Sequence, residues 1–434
     1  MAKLAIQGGK PIRDSKKRPW PSWPIFNREE EKQLLSVLRS RVWSYNGPKE
    51  QEFNRRFAKF CGSRYSLLVA NGTVSIQLAL EALDIGFGDE VIVPGLTWQA
   101  TAGAVLDVNA VPVLVDVLPD TWCLDPQAVE KAITRRTRAI IPVHLYGCIA
   151  DMDAVNRIAR KHQLAVIEDC AHQHGSVWKG KPVGSLGNIG SFSLQLSKVL
   201  TAGEGGILTT SDVKLFTRLD ALRNCGRRPA IVRATGRSPL PKANKGAGQY
   251  GSEGDLIQSG NYRLTEFQAA VLLEQFNRLP TQVRLRDRNA LHLNERLAEI
   301  PGIHPMKRDS RTDLQSYYNF AFRYDSRKFQ GLPAAKFREA LNAELGLGPG
   351  GVMPCYQPLN NCGLYRPLTK KRYRLSAQHW KAINPARFKL PESEQAFRET
   401  SVCLHHRVLL GNQKDVGEIA NAVLKIRDHL DELT

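Results

Sequence analysis

One lysine, Lys198, sits in the stretch Gly190 to Gly206 (GSFSLQLSKVLTAGEGG) among small, hydroxyl and apolar neighbours. An amine in that company suits covalent imine chemistry. The nitrogen must reach a carbonyl, and partial desolvation lowers its pKa so that a neutral fraction exists near pH 7. The run Ala202-Gly203-Glu204-Gly205-Gly206 carries too many glycines for helix and marks a sharp turn. Taken alone, the stretch is equally an ordinary surface lysine beside a glycine turn. It has neither the GxxxxGK[ST] spacing of a phosphate loop nor the GxGxxG of a dinucleotide fold.

Four further features could serve the same chemistry. Asp169 ends the apolar run Val166-Ile167-Glu168-Asp169, and Asn71-Gly72-Thr73 sits between an apolar run and an apolar helical segment. Trp98 follows Thr97 after another apolar run, and Ser193 lies five residues before Lys198. Each has a plain structural reading, as a helix cap or a core aromatic. As a set they match what pyridoxal phosphate requires: a lysine for the aldehyde, a carboxylate for the ring nitrogen, an aromatic for the ring face, and amides with hydroxyls for the phosphate. A metal site from His144, Cys170, His172 and His174 is the competing use of one strand end, and it is set aside because that end already has a better use.

These residues need a scaffold. Apolar runs at Ser66–Ala70, Glu90–Pro94, Val111–Val117, Ala139–His144, Ala165–Asp169, Ile189–Ser193 and Gly206–Thr210 read as buried strands. Helical segments at Val74–Leu83, Gln99–Asp107, Pro126–Ile133 and Ala154–His162 alternate with them. That alternation implies an α/β fold with a mostly parallel sheet covered on both faces. Its ligand crevice lies outside the carboxyl ends of the strands, the end that carries Asn71, Thr97, His144, Asp169 and Ser193. Residues 1–25 read as an N-terminal arm and 26–285 as a large domain, with a Gly/Pro/Lys/Arg-rich insertion at 226–260. Residues 286–434 read as a smaller α+β domain, and the helix that starts near Leu264 is expected to break at Pro280.

Composition bounds the partners. The chain has 434 residues, a formal net charge of +19 and eight cysteines, none in a CxxC pair. Zinc-ribbon and dithiol motifs are therefore disfavoured. The basic surplus is concentrated in Arg227–Lys245 and Arg366–Lys389 without a nucleic-acid module, which favours an anion-steering surface over nucleic acid. No signal-peptide core and no membrane-length apolar run is present, so a cytoplasmic protein is expected.

The segments NGTVSIQLALEALDIGFGDEVIVPGLTW, AIIPVHLYG, VIEDCAHQHGS, SFSLQLSKVLTAGEGG and GNYRLTEFQAAVLLEQ, in that order, resemble the DegT/DnrJ/EryC1/StrS aminotransferase family. The resemblance spans roughly residues 3 to 430. Its wording, with CYQPLNNCGLYRP and HHRVLL, is nearest the branch that acts on scyllo-inosose and 2-deoxy-scyllo-inosose.

That resemblance implies the aspartate-aminotransferase (type I) fold, a pyridoxal 5'-phosphate cofactor that passes through pyridoxamine phosphate, and transfer of an amino group from L-glutamine or L-glutamate to a keto acceptor. It implies that Lys198 carries the cofactor as an imine, Asp169 binds the pyridine nitrogen and Trp98 stacks on the ring. Gly72, Thr73 and Ser193 would hold the phosphate, and Asn261 would reach the phosphate of a neighbouring subunit in a homodimer. His172 stands where most members have glutamine, and Asn71 where serine is usual. Tyr45, Tyr146, Tyr356 and His405 are expected to shape the acceptor pocket. Members that dehydrate keto-sugars carry histidine at the lysine position, so Lys198 argues for transamination. A nucleotide-linked keto-sugar as acceptor, an aminohydroxybenzoate-forming enzyme and a non-catalytic regulator are the alternatives.

Overall fold

The structure, a computed structural model, describes residues 3–44, 46–227, 257–370 and 376–433. Its centre is a seven-stranded sheet. In chain order the strands are Tyr65–Val69, Glu90–Pro94, Val111–Val115, Thr137–Ile140, Ala165–Asp169, Ile189–Ser193 and Gly206–Thr210. Across the sheet they stand in the order first, seventh, sixth, fifth, fourth, second, third. Helices pack on it, and strand residues such as Leu68, Ile92, Ile140 and Ile167 are completely buried.

Only Gly206–Thr210 runs antiparallel to its neighbours. The link 194–205 contains no helix that could recross the sheet, so the chain returns alongside the strand it has just left. Two antiparallel pairings in succession restore the direction of Tyr65–Val69. Its carboxyl end, those of Ala165–Asp169 and Ile189–Ser193, and the start of Gly206–Thr210 therefore share one edge of the sheet. The lysine turn hangs from that edge.

The strand expected over 139–144 ends at Ile140. Pro142 has no N–H to give to a ladder, and pairing resumes only as a single bridge between Val143 and Asp169.

A second core surrounds a four-stranded antiparallel sheet of Ile303–Pro305, Asn319–Tyr324, Ser401–His405 and Val352–Met353. The helix Glu266–Ala298 serves both cores: Leu272 and Phe276 pack in the first, Leu293 and Leu297 in the second. The break expected at Pro280 does not occur. Buried Phe276, Leu279 and Val283 hold the helix on either side of the missing N–H.

Residues of the arm also join the second core. Leu4 and Trp20 are buried there, and Arg13 pairs with Asp415 and Glu418 at 2.8 Å. Of the 226–260 insertion, residues 228–256 lie outside the described residues. No described helix is long and apolar enough to cross a membrane.

Candidate active site

The edge where those strands meet opens into a cavity of about 570 Å³. Lys198, Asp169, Gly72, Thr73, Ser193, Trp98, His172 and Tyr356 all line it. Eight expected site residues from five separate stretches of sequence thus converge on one space.

Lys198 owes its place to its turn. Its amide donates to the Gln195 carbonyl at 2.9 Å, and the Ala202 amide and Thr201 hydroxyl both donate to the Leu194 carbonyl. Gly203 has φ +82°, a left-handed conformation that glycine adopts without strain. The amine is buried, and burial brings its pKa down to about 8 against the opposing pull of Asp169. Its Nζ lies 4.0 Å from the centre of the Tyr318 ring.

Asp169 ends its strand with the side chain toward the cavity, while Glu168 points to the opposite face. Glu168 there accepts amides from Gly184, Leu186 and Gly187 at 3.0, 2.6 and 2.7 Å. Asp169 accepts the Thr101 hydroxyl at 2.9 Å and the Ala171 amide at 3.2 Å. Burial raises its pKa; those two bonds oppose the rise by favouring the carboxylate.

Asn71 caps the helix Gly72–Ala82 by accepting the Val74 amide at 2.9 Å. Gly72 and Thr73 begin that helix and line the cavity together with Ser193. A side chain at Gly72 would meet Ser193 Cβ at 2.8 Å, and one at Gly206 would meet the Asn71 carbonyl at 2.3 Å. Only glycines let the two strand ends approach this closely.

His172 is sandwiched between aromatic rings, stacked on Tyr318 at 4.1 Å and on Tyr146 at 5.6 Å. Its Nδ1 accepts the Tyr146 amide at 3.1 Å, which puts the proton on Nε2, 3.2 Å from the Tyr356 hydroxyl. Burial, then Lys198, pushes its pKa well below the ordinary value. The ring is thereby held in its neutral, Nε2-protonated form.

Other expected residues stand elsewhere. Tyr146 lies behind the wall, where its hydroxyl accepts the Tyr356 amide at 2.8 Å. His405 is not on the wall; its Nδ1 accepts the Arg407 amide at 3.2 Å and its ring packs on His406. Asn261 is exposed and does not line this cavity; it is bridged to Asn224. Tyr45 lies outside the described residues.

Sequence reasoning missed Thr101 and Tyr318. Thr101 sits four residues after Thr97, one helical turn on, and that spacing could have flagged it. Tyr318 immediately precedes the strand Asn319–Tyr324 of the second sheet but packs against the first core, and no spacing to Lys198 in the sequence marks it as a neighbour of that amine.

Among the described residues, His144, Glu168 and Cys170 have metal-like spacing. Their donors are already committed. His144 Nδ1 accepts the Ala150 amide at 3.1 Å, leaving Nε2–H for Glu168 at 3.3 Å, and Glu168 accepts three backbone amides besides. His172 spends its lone pair on Tyr146.

A profile of the DegT/DnrJ/EryC1/StrS aminotransferase family matches residues 24–409. The chain is 45% identical over 437 residues to an L-glutamine:2-deoxy-scyllo-inosose aminotransferase of Streptoalloteichus tenebrarius, covering 99% of each chain. It is 42% identical over 438 residues to an L-glutamine:scyllo-inosose aminotransferase of Streptomyces griseus, again covering 99% of each. Among solved structures it is similar to 3-amino-5-hydroxybenzoic acid synthase, with 32% identity, a TM-score of 0.78 and coverage of 96% of this chain and 99% of that one. A second is DesI in the presence of its TDP-sugar product, with 27% identity, a TM-score of 0.77 and coverage of 99% and 97%.

Proposed function

This chain belongs to the DegT/DnrJ/EryC1/StrS aminotransferase family, and from that membership we propose that it is a pyridoxal-phosphate-dependent aminotransferase moving the amino group of L-glutamine to a keto-cyclitol of the scyllo-inosose type. The observation that carries the chemistry is the convergence of Lys198, Asp169 and the start of the Gly72–Ala82 helix on one cavity. The donor set fits the cofactor. A desolvated amine, a buried carboxylate, helix-start amides and a hydroxyl are what its aldehyde, ring nitrogen and phosphate demand, and the close approach at Gly72 and Gly206 brings the phosphate donors together.

When bound, the pyridine ring supplies an electron sink for charge that develops at the carbon losing its proton. Lys198 Nζ is the attachment point. Freed of the cofactor, its amine would be the base that carries a proton between the donor Cα and the carbon that had been the cofactor's aldehyde. Its pKa of about 8 leaves a usable neutral fraction at pH 7. Asp169, oriented by Thr101, keeps a proton on the ring nitrogen. Gly72, Thr73 and Ser193 would hold the phosphate, and Trp98 would cover the ring face. His172 remains a neutral Nε2–H donor beside Tyr356. Asn261, exposed and off the cavity, completes the phosphate site of a second copy in a homodimer.

The relatives favour a cyclitol over a nucleotide-linked sugar. Identities of 42–45% attach to enzymes named for scyllo-inososes, against 27% for the enzyme solved with a TDP-sugar. The test is to convert the enzyme to its amine form with L-glutamine, then offer scyllo-inosose, 2-deoxy-scyllo-inosose and a TDP-keto-hexose separately. Reoxidation of the cofactor, read by absorbance, is expected with an inosose. Return with the TDP-sugar alone would overturn the acceptor, and a Lys198→Ala protein that still turned over would overturn the mechanism.

A further inference from the structure

Within the lysine turn, the carbonyls of Leu194 and Gln195 accept bonds from the turn's own amides and hydroxyls. The next two carbonyls, Leu196 and Ser197, stand immediately before Lys198 and are held from outside. Trp23 Nε1 lies 2.9 Å from the Leu196 oxygen, and His406 Nε2 lies 3.1 Å from the Ser197 oxygen. The two rings meet edge-on, with centroids 4.5 Å apart at 86°. Trp23 belongs to the arm and His406 follows the strand Ser401–His405 of the second core.

A carbonyl oxygen can only accept, so His406 must carry its proton on Nε2. Burial, then the neighbouring Arg286, keeps that ring from taking a second proton. Arg286 also lies 5.2 Å from the Trp23 ring, within cation–π range. The same segment is tied once more from below. The Tyr318 hydroxyl lies 3.0 Å from Ser197 Oγ, and the His406 amide donates to the Tyr318 carbonyl at 3.3 Å.

We propose that Trp23 and His406 are positioning residues for the reaction. They clamp the two carbonyls that precede Lys198, and so fix where the amine stands between its attachment to the cofactor and its proton transfer. This rests on Lys198 being the reactive amine. Releasing the Ser197 carbonyl frees the peptide plane before Lys198 to rotate, releasing the Leu196 carbonyl frees the plane before that, and a displacement of about 1 Å at a reacting group costs on the order of a hundredfold in rate. The clamp also gives the arm and the second core a direct hold on a turn that belongs to the first.

Three variants test it. Trp23→Phe keeps a ring against His406 but removes the N–H; His406→Leu removes ring and donor; His406→Gln restores an amide donor. Each apoprotein is mixed with pyridoxal phosphate and quenched with borohydride over time, and the labelled Lys198 peptide is counted by mass spectrometry. The expected result is a tenfold to hundredfold slower attachment in Trp23→Phe and His406→Leu, with most of the His406→Leu loss recovered by His406→Gln. The steady-state kcat should fall in parallel, with little change in KM for L-glutamine. Wild-type attachment and kcat in both Trp23→Phe and His406→Leu would overturn the clamp. So would equal losses in His406→Leu and His406→Gln, since that pattern reports packing and not a hydrogen bond. If His406→Leu does not fold, half-exposed Trp23 decides alone. Lys198→Ala, run beside them, separates the two claims: labelling that persists elsewhere at the wild-type rate sinks the lysine reading itself.

Discussion

Lys198 Nζ stands 4.0 Å over the ring of Tyr318, a residue 120 positions later whose hydroxyl in turn reaches Ser197. The ring face stabilises an ammonium and not a neutral amine. It therefore opposes the burial that lowers the lysine's pKa. Tyr318→Leu should remove that support and move the pH midpoint for Lys198 labelling below about 8 by roughly half to one unit. Tyr318→Phe keeps the ring and should stay within a few tenths of a unit. A pH series of amine-reagent labelling of the apoprotein, read at the Lys198 peptide, makes the comparison.

Burying Lys198 has a stability sign. Its folded pKa of about 8 lies below the ordinary 10.5. Below pH 8 both states hold the proton, and the folded state bears the cost of burying it. Between 8 and 10.5 the folded state releases the proton first, so stability rises with pH. Lys198→Met should accordingly stabilise the apoprotein at pH 7, by up to roughly 3 kcal/mol, and the gain should shrink toward zero by pH 10.5. Urea unfolding of both proteins at the two pH values measures it, and a gain independent of pH would mean the amine is not desolvated.

Asp169 is expected to tolerate no neutral substitute. Asp169→Asn keeps the shape and a bond to Thr101 but removes the charge aimed at the ring nitrogen. Turnover should fall at least about a hundredfold. Thr101→Val, which removes one oriented bond, should cost less, on the order of tenfold. Single-turnover rates with L-glutamine rank the two.

Gly72 has no room for a methyl group, because Ser193 Cβ would lie 2.8 Å away. Gly72→Ala should therefore push apart the strand ends that form the helix-start cradle. A stability loss of about 1–3 kcal/mol is expected, with cofactor affinity falling more than that of Thr73→Ser. Thermal unfolding and cofactor titration read the two effects.

Burial, then Lys198, pushes the His172 pKa well below the ordinary imidazole value. The profile of kcat/KM against pH should show no histidine step from this residue between pH 5.5 and 7.5, and His172→Gln should leave the acidic limb where it was. A limb that moves in that variant would mean the imidazole is charged.

The sequence alone determined the α/β class, six of the seven strand positions to within a few residues, and the cavity residues that stand at strand ends. It could do so because each of these is a local consequence. Buried strands are apolar runs, glycines mark the turn, and a carboxyl-end position follows from the strand before it. Pro142 and Pro280 show the limit, since the same residue stopped a strand and failed to stop a helix. What differed was the packing around each.

Only the tertiary structure gave Asp169 its Thr101 bond, put Tyr146 behind the wall and His405 off it, and set His172 between two rings. It alone brought Tyr318, Trp23 and His406 to the lysine turn. Those contacts join residues up to several hundred positions apart, and a side chain's protonation, tautomer and reach depend on neighbours that no local pattern encodes.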